Sequence, residues 1–332
     1  MFHRIMVPFD GSARATDATA MASHLARRTG ASLDLVHIES AEAHEREQEA
    51  VDRQMSSELT SARASGLEVE THREVGHVNE TIIAACKTSH ADLMVLAPHR
   101  RNRLSRMLPL GMTEYLLIHS PLPLLICPEQ GQRQQSHPTH SLELLHGRDG
   151  LVICPLDGSD VAERALPCAI GLARQFERTL LLMRVIMPPQ GFASGPQAYA
   201  VVRETQCDEE HEACHYLHRM RHRLLHELDT AAVRVETMLL SGSVAEEILG
   251  LSVAHEGSVL VMSTHGRSGL SRMVIGSVTS DVVQRTSVPM FVVPAALVFA
   301  ERRRATASGE VYAMPAAERP TTGSEDADQV PG

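Results

Sequence analysis

The chain states one pattern twice. Val7-Pro8-Phe9-Asp10-Gly11-Ser12 closes an apolar run near the start, and Cys154-Pro155-Leu156-Asp157-Gly158-Ser159 closes another in the second half. Further along, Leu93-Met94-Val95-Leu96-Ala97-Pro98-His99 is answered by Val259-Leu260-Val261-Met262-Ser263-Thr264-His265. Asp10 and Asp157 lie 147 positions apart, and His99 and His265 lie 166 apart, so the second copy carries about 19 extra residues between these landmarks. A self-similar pattern constrains architecture before any residue is read, and 332 residues give each copy room for its own core. The expected division is a first domain over residues 1–128, a linker over 129–149, a second domain over 150–295 and a tail over 296–332. The linker segment is polar and Gln-rich, and the tail is charged and aperiodic, as in disordered chain.

Within each copy short apolar runs alternate with helical patterns. The first copy predicts strands near 3–8, 32–38, 67–73, 92–97 and 122–127, with helices near 13–28, 42–65, 76–90 and 110–119. The second predicts strands near 150–155, 179–186, 232–239, 258–263 and 288–294. Runs such as Leu93–Leu96 are apolar throughout, as strands covered on both faces are. The expected fold is α/β: two tandem Rossmann-like domains, each a five-stranded parallel sheet with helices on both faces and right-handed crossovers. With aromatics at 3% and no Trp, cores must be built from aliphatic side chains, which suits that layering.

Charge and cysteine usage narrow the function. A net charge of −10 argues against nucleic acid, although charging of the 19 histidines, with reference pKa near ~6.5, would largely cancel it in mild acid. No apolar run approaches the ~20 residues of a membrane span. Met1 leads straight into a strand, and the six cysteines have no regular spacing, so reduced thiols and a cytoplasmic location are expected.

The segment after the fourth strand of the second copy is the most informative. It runs Ser263-Thr264-His265-Gly266-Arg267-Ser268-Gly269 and on to Gly276-Ser277-Val278-Thr279, leaving a strand, crossing a glycine-bearing loop and starting a helix. Ligands of open α/β sheets sit beyond the carboxyl ends of strands, and a helix start offers N–H groups and a favourable dipole to phosphate. This pattern resembles the ATP loop of the universal stress protein family, in which Gly, two residues, Gly, nine residues and Gly-Ser or Gly-Thr follow one another. Here Ser263 replaces the first glycine, and Gly266, Gly276 and Ser277 match. The openings at Val7–Ser12 and Cys154–Ser159, and Gly242-Ser243-Val244-Ala245-Glu246-Glu247-Ile248, also look like the family's first strand and third helix.

The resemblance implies ATP at the second domain, with Asp157 at the adenosine end and Pro155 and Val185 packing the base. It places Ser263, His265, Gly266, Arg267, Ser268, Gly276, Ser277, Val278 and Thr279 around the triphosphate, with Mg²⁺ or Mn²⁺. A plain turn and helix cap is the competing account of Asp157-Gly158-Ser159. The first copy departs from the pattern. Arg100 stands opposite Gly266, Arg103 opposite Gly269 and Met112 opposite Ser277, and the spacing from Arg100 to Gly111 is one residue longer. A solvated basic loop or a different anion are the two readings of that segment.

Other features leave alternatives open. His211, Cys214, His215, His218, His222 and His226 recur at helical spacing, and His215, His218 and His222 are candidate Zn²⁺ ligands against a polar solvent face. Met187–Pro196 follows the second strand of its copy, either as a lid or as a mobile loop. No Gly-x-x-x-x-Gly-Lys-Ser/Thr motif exists. The combined expectation is an ATP-binding stress-response module. The alternatives are a slow ATPase or self-phosphorylating enzyme, with Ser263, Ser268 or Ser277 as acceptor, and a metal-responsive protein. The apolar last strands, 122–127 and 288–294, are expected to pair with each other inside one chain, with a homodimer as a further option.

Overall fold

The computed structural model describes residues 1–39, 45–98, 111–128, 150–188, 196–227, 233–264, 275–294 and 297. The segments expected as linker and tail therefore lie outside the described residues, Leu297 apart. The first half runs β1 (Arg4–Pro8), α1 (Ala13–Thr29), β2 (Ser32–Glu39), α2 (Glu45–Ala64), β3 (Val69–Val75), α3 (Val78–Thr88), β4 (Leu93–Leu96), α4 (Met112–His119) and β5 (Leu124–Ile126). The second runs β6 (Val152–Pro155), α5 (Asp160–Glu163), α6 (Leu166–Gln175), β7 (Leu180–Ile186), α7 (Pro196–Glu227), β8 (Val235–Ser241), α8 (Val244–Ala254), β9 (Val259–Ser263), α9 (Ser277–Arg285) and β10 (Met290–Val293).

Local chemistry explains the boundaries. The Ser12 hydroxyl accepts the Ala15 N–H at 3.1 Å and starts α1, and Gly30 ends it in the left-handed region at φ 72°. In the second half Ser159 caps the corresponding helix through the Ala162 N–H at 3.2 Å. That helix breaks after Glu163 and restarts at Leu166, with Pro167 in its first turn.

The strands form one sheet of order β3-β2-β1-β4-β5-β10-β9-β6-β7-β8. Neighbours within each half are parallel, and β5 meets β10 antiparallel, with Leu125 opposite Phe291. Both hydrophobic layers cross that junction. On one face Ile5, Leu33, Leu125, Val152, Leu180 and Phe291 pack with α1, α6 and α7, and on the other Met6, Met94, Ile153, Leu260 and Met290 pack with α3, α4, α8 and α9. Phe2 stacks on Phe291 with ring centroids 5.9 Å apart, and Gln175 donates to the Arg28 carbonyl at 2.9 Å, so helices of both halves are also joined directly.

The expected strands are all present; β5, β6 and β10 start two residues later than expected, at Leu124, Val152 and Met290, and the third strands are shifted as a whole. The third strand of each copy starts two to three residues later than predicted, at Val69 and Val235. These are the two edge strands, displaced toward their carboxyl ends to Val69–Val75 and Val235–Ser241, and exposed Glu74 and Val75 carry β3 past the end that apolar content marks.

Candidate functional site

A cleft of about 480 Å³ opens at the carboxyl ends of β6 and β9, where the chain order reverses on either side of β6. Its walls include Pro155 at the end of β6 and Asp157 beyond it, Met183, Arg184 and Val185 on β7, Glu209 and Glu212 on α7, Val244 and Ile248 on α8, and Ser263 and Gly276–Thr279. The structure thus brings together Pro155, Asp157, Val185, Ser263, Gly276, Ser277, Val278 and Thr279. His265, Gly266, Arg267 and Ser268 lie outside the described residues.

The β6 end is organised by Asp157. Its Oδ1 accepts the Ser159 N–H at 2.9 Å and the Ser159 hydroxyl at 2.6 Å. The turn-and-cap account is therefore correct as local structure, and the same side chain also faces the cleft. The first half repeats the turn, with Asp10 accepting the Ser12 N–H at 2.9 Å.

The β9–α9 junction refines the expected roles. The Gly276 N–H donates to the Thr264 carbonyl at 2.9 Å, and the buried Thr279 hydroxyl donates to the Ser263 carbonyl at 3.0 Å. These bonds hold the start of α9 against the end of β9. Gly276 has φ −56° and ψ 140°, values open to any residue, so its place in the cleft rests on small size and not on backbone freedom. Ser277 is exposed at the first turn of α9, where N–H groups have no intrahelical partner.

Three charged cleft residues, Arg184, Glu209 and Glu212, were not expected from the sequence, nor were apolar walls such as Met183 and Ile248. Arg184 interrupts the apolar strand Leu180–Ile186 and is 8% exposed, and its guanidinium lies 5.3 Å from the Tyr216 ring centre. Tyr216 donates to Glu163 at 3.0 Å, and Arg223 donates to the same carboxylate at 2.7 Å. Burial, reinforced by the Glu163 charge, pushes the Tyr216 phenol upward, so it remains a neutral donor. A lone Arg in a buried strand was the available signal for Arg184. Glu209 and Glu212 had none, because only the path of α7 brings them to the cleft.

The corresponding region of the first half differs. Gly11, at φ +75°, lies under α2 so closely that an added Cβ would come within 2.9 Å of Val51 Cγ2. Gly111, Met112 and Thr113 instead line a smaller cavity of about 190 Å³ that reaches across to Ile275, Val283 and Gln284 of the second half. Arg100 and Arg103 lie outside the described residues.

Metal-ligating groups were also expected at His215, His218 and His222, and all three lie on the exposed side of α7. Among the described residues, three ligating side chains converge within 4.8 Å at Asp34, Glu70 and His72. There the Arg4 guanidinium already contacts Asp34 at 3.3 Å and Glu70 at 3.1 Å, and a cation would have to displace it. All six cysteines are free thiols. No described helix is long and apolar enough to cross a membrane.

The fold and cleft define a tandem α/β protein with a crevice at a topological switch point of its second sheet half. The profile of the universal stress protein family matches residues 1–128 and 151–294, and the chain belongs to that family. It is 27% identical over 149 residues to a universal stress protein of Methanocaldococcus jannaschii, covering 43% of this chain and 80% of that protein. A similar match to universal stress protein YxiE of Bacillus subtilis is 27% identical and covers 43% and 97%. Over nearly the whole chain the fold is similar to that of a functionally unknown protein from Pseudomonas aeruginosa PAO1, with TM-score 0.59, 17% identity, and 92% and 98% of the two chains covered. A universal stress protein from Archaeoglobus fulgidus gives TM-score 0.57 at 16% identity, covering 88% and 96%.

Proposed function

We propose that the chain is a stress-response regulatory module that binds one adenine nucleotide, preferentially ATP, in the cleft of its second half. The observation that carries this reading is the convergence of Pro155, Asp157, Val185, Gly276 and Ser277 on one cleft at the helix start. Pro155 and Val185 supply the apolar wall for the base, and Asp157 accepts from the ribose hydroxyls. Ser277 and the first N–H groups of α9 receive phosphate oxygens.

The described walls hold three carboxylates, Asp157, Glu209 and Glu212, against the Arg184 guanidinium. An anionic triphosphate beside that wall calls for a divalent cation between them. Mg²⁺ or Mn²⁺ fits, coordinated by phosphate oxygens and Glu209 or Glu212, and would neutralise charge there. The β5–β10 pairing joins the two halves edge to edge in one sheet.

Equilibrium dialysis of the full chain against ATP, with Mg²⁺ or with EDTA, tests the reading, alongside phosphate release from the retained nucleotide. Retained, unhydrolysed ATP that is lost with EDTA supports a nucleotide-dependent binding module. Steady phosphate release would make the protein an ATPase, and no retention under either condition would end the nucleotide reading.

A further inference from the structure

Helix α7 carries a second feature unrelated to the cleft. Its inner side is formed by Ala213, Tyr216, Leu217, Met220 and Leu224, all buried. At 100° per residue the opposite side, over residues 207–226, is an arc of about 120°. That arc holds Cys207, His211, Cys214, His215, His218, His222 and His226, all exposed, together with Leu225 and, at its margin, Asp208.

An ordinary solvated helix face is built from Lys, Arg and Glu. This helix uses such residues freely, but beside the arc: Glu210, Glu212, Arg219, Arg221 and Arg223 all flank it. The repeat supplies an internal control. The equivalent helix of the first half, α2, meets solvent through Arg46, Glu49, Arg53 and Ser56, and contains neither His nor Cys. The fold therefore does not require imidazoles at this place.

We infer that the outer face of α7 is a binding site for Zn²⁺, centred on His211, Cys214, His215 and His218. These four occupy positions i, i+3, i+4 and i+7, which form a diamond on a helix surface with its corners one turn apart. The His211 and His215 rings already lie side by side, with centroids 6.2 Å apart. Imidazole nitrogen and thiolate sulfur suit this borderline-soft cation, at about 2.0–2.1 Å and 2.3 Å respectively. The side chains are exposed, so rotamer changes alone bring the ligand atoms together, and water completes the shell. Binding releases the Cys214 thiol proton to solvent. His222 and His226, with centroids 4.1 Å apart, form a separate pair that offers two ligands and no thiol.

The test is calorimetric titration of chelator-treated, reduced full chain with ZnCl₂, and a parallel titration with CoCl₂ read by absorption. The expected result is one Zn²⁺ per chain at micromolar affinity or tighter, with a sulfur-to-cobalt charge-transfer band in the near ultraviolet. Cys214→Ser with His218→Ala should weaken Zn²⁺ binding at least tenfold and remove that band. His222→Ala with His226→Ala and, separately, Asp34→Asn should leave the site intact. Circular dichroism verifies that each exposed-site variant folds. Absence of binding below about 100 µM, or binding that survives the Cys214 and His218 changes, overturns the assignment. So does binding lost only with His222 and His226.

Discussion

Thr279 and Ser277 stand two residues apart at the start of α9, and the structure gives them opposite duties. Thr279→Val keeps the branched shape and removes the hydroxyl that donates to the Ser263 carbonyl at 3.0 Å in a buried setting. The net loss of a hydrogen bond is about 1 kcal/mol, and it rises to about 3 kcal/mol where the partner is left unsatisfied. With a urea slope near ~2 kcal/mol/M, the unfolding midpoint of the second half should fall by about 0.5–1.5 M. Ser277→Ala removes an exposed hydroxyl and should leave the midpoint in place. On the proposed reading it instead weakens ATP by roughly 1.5–3 kcal/mol, tenfold or more. Urea unfolding followed by circular dichroism, paired with ATP titration of both variants, separates the two. An unchanged midpoint in Thr279→Val, or an equal loss of stability in Ser277→Ala, would refute this division of labour.

Three further outcomes follow from the same structure. Cys207 and Cys214 are exposed, whereas burial pushes the Cys86 and Cys168 thiols up to about 12 and those of Cys127 and Cys154 higher still. A thiol reagent should thus modify Cys207 and Cys214 quickly in the native chain, half-buried Cys168 slowly, and Cys86, Cys127 and Cys154 only after unfolding, as mass spectrometry would count. A Cβ at Gly150 would collide with the Gly257 carbonyl, so Gly150→Ala should cost about 1–3 kcal/mol and lower the melting temperature; an unchanged value would show the strand start is not that tight. Burial pushes the Asp34 carboxyl upward, against the pull of Arg4 and His72. A raised folded pKa favours the folded state below the unfolded value of ~3.9 and loses that contribution as pH rises through the folded value. The stability of the chain relative to Asp34→Asn should therefore fall as pH rises from 4 to 7, and a rise would contradict the assigned cause.

The fold was legible because the two copies check each other. A weak strand such as Leu124–Ile126 gains meaning from its counterpart Met290–Val293, and the apolar runs mark each strand buried on both faces. Edge strands were placed less well, since exposed Glu74 and Val75 end β3 on solvent-facing terms that apolar content does not report. Much of the cleft was readable where its residues are neighbours in sequence, as in Gly276–Thr279. Arg184, Glu209 and Glu212 arrive from segments whose approach depends on the crossing of β7 and α7. The Thr279 role was hidden for a different reason: a hydroxyl beside a phosphate loop reads the same whether it faces ligand or backbone.

On the proposed reading one adenine nucleotide binds per chain, in the second half. Calorimetric titration of the full chain with ATP and Mg²⁺ tests it most directly through stoichiometry, repeated on Gly276→Val with Ser277→Ala and on Arg100→Ala. One site per chain is expected, with most binding lost in the first variant and little change in the second. Two equivalent sites, or a single site that survives the Gly276 and Ser277 changes, would contradict it.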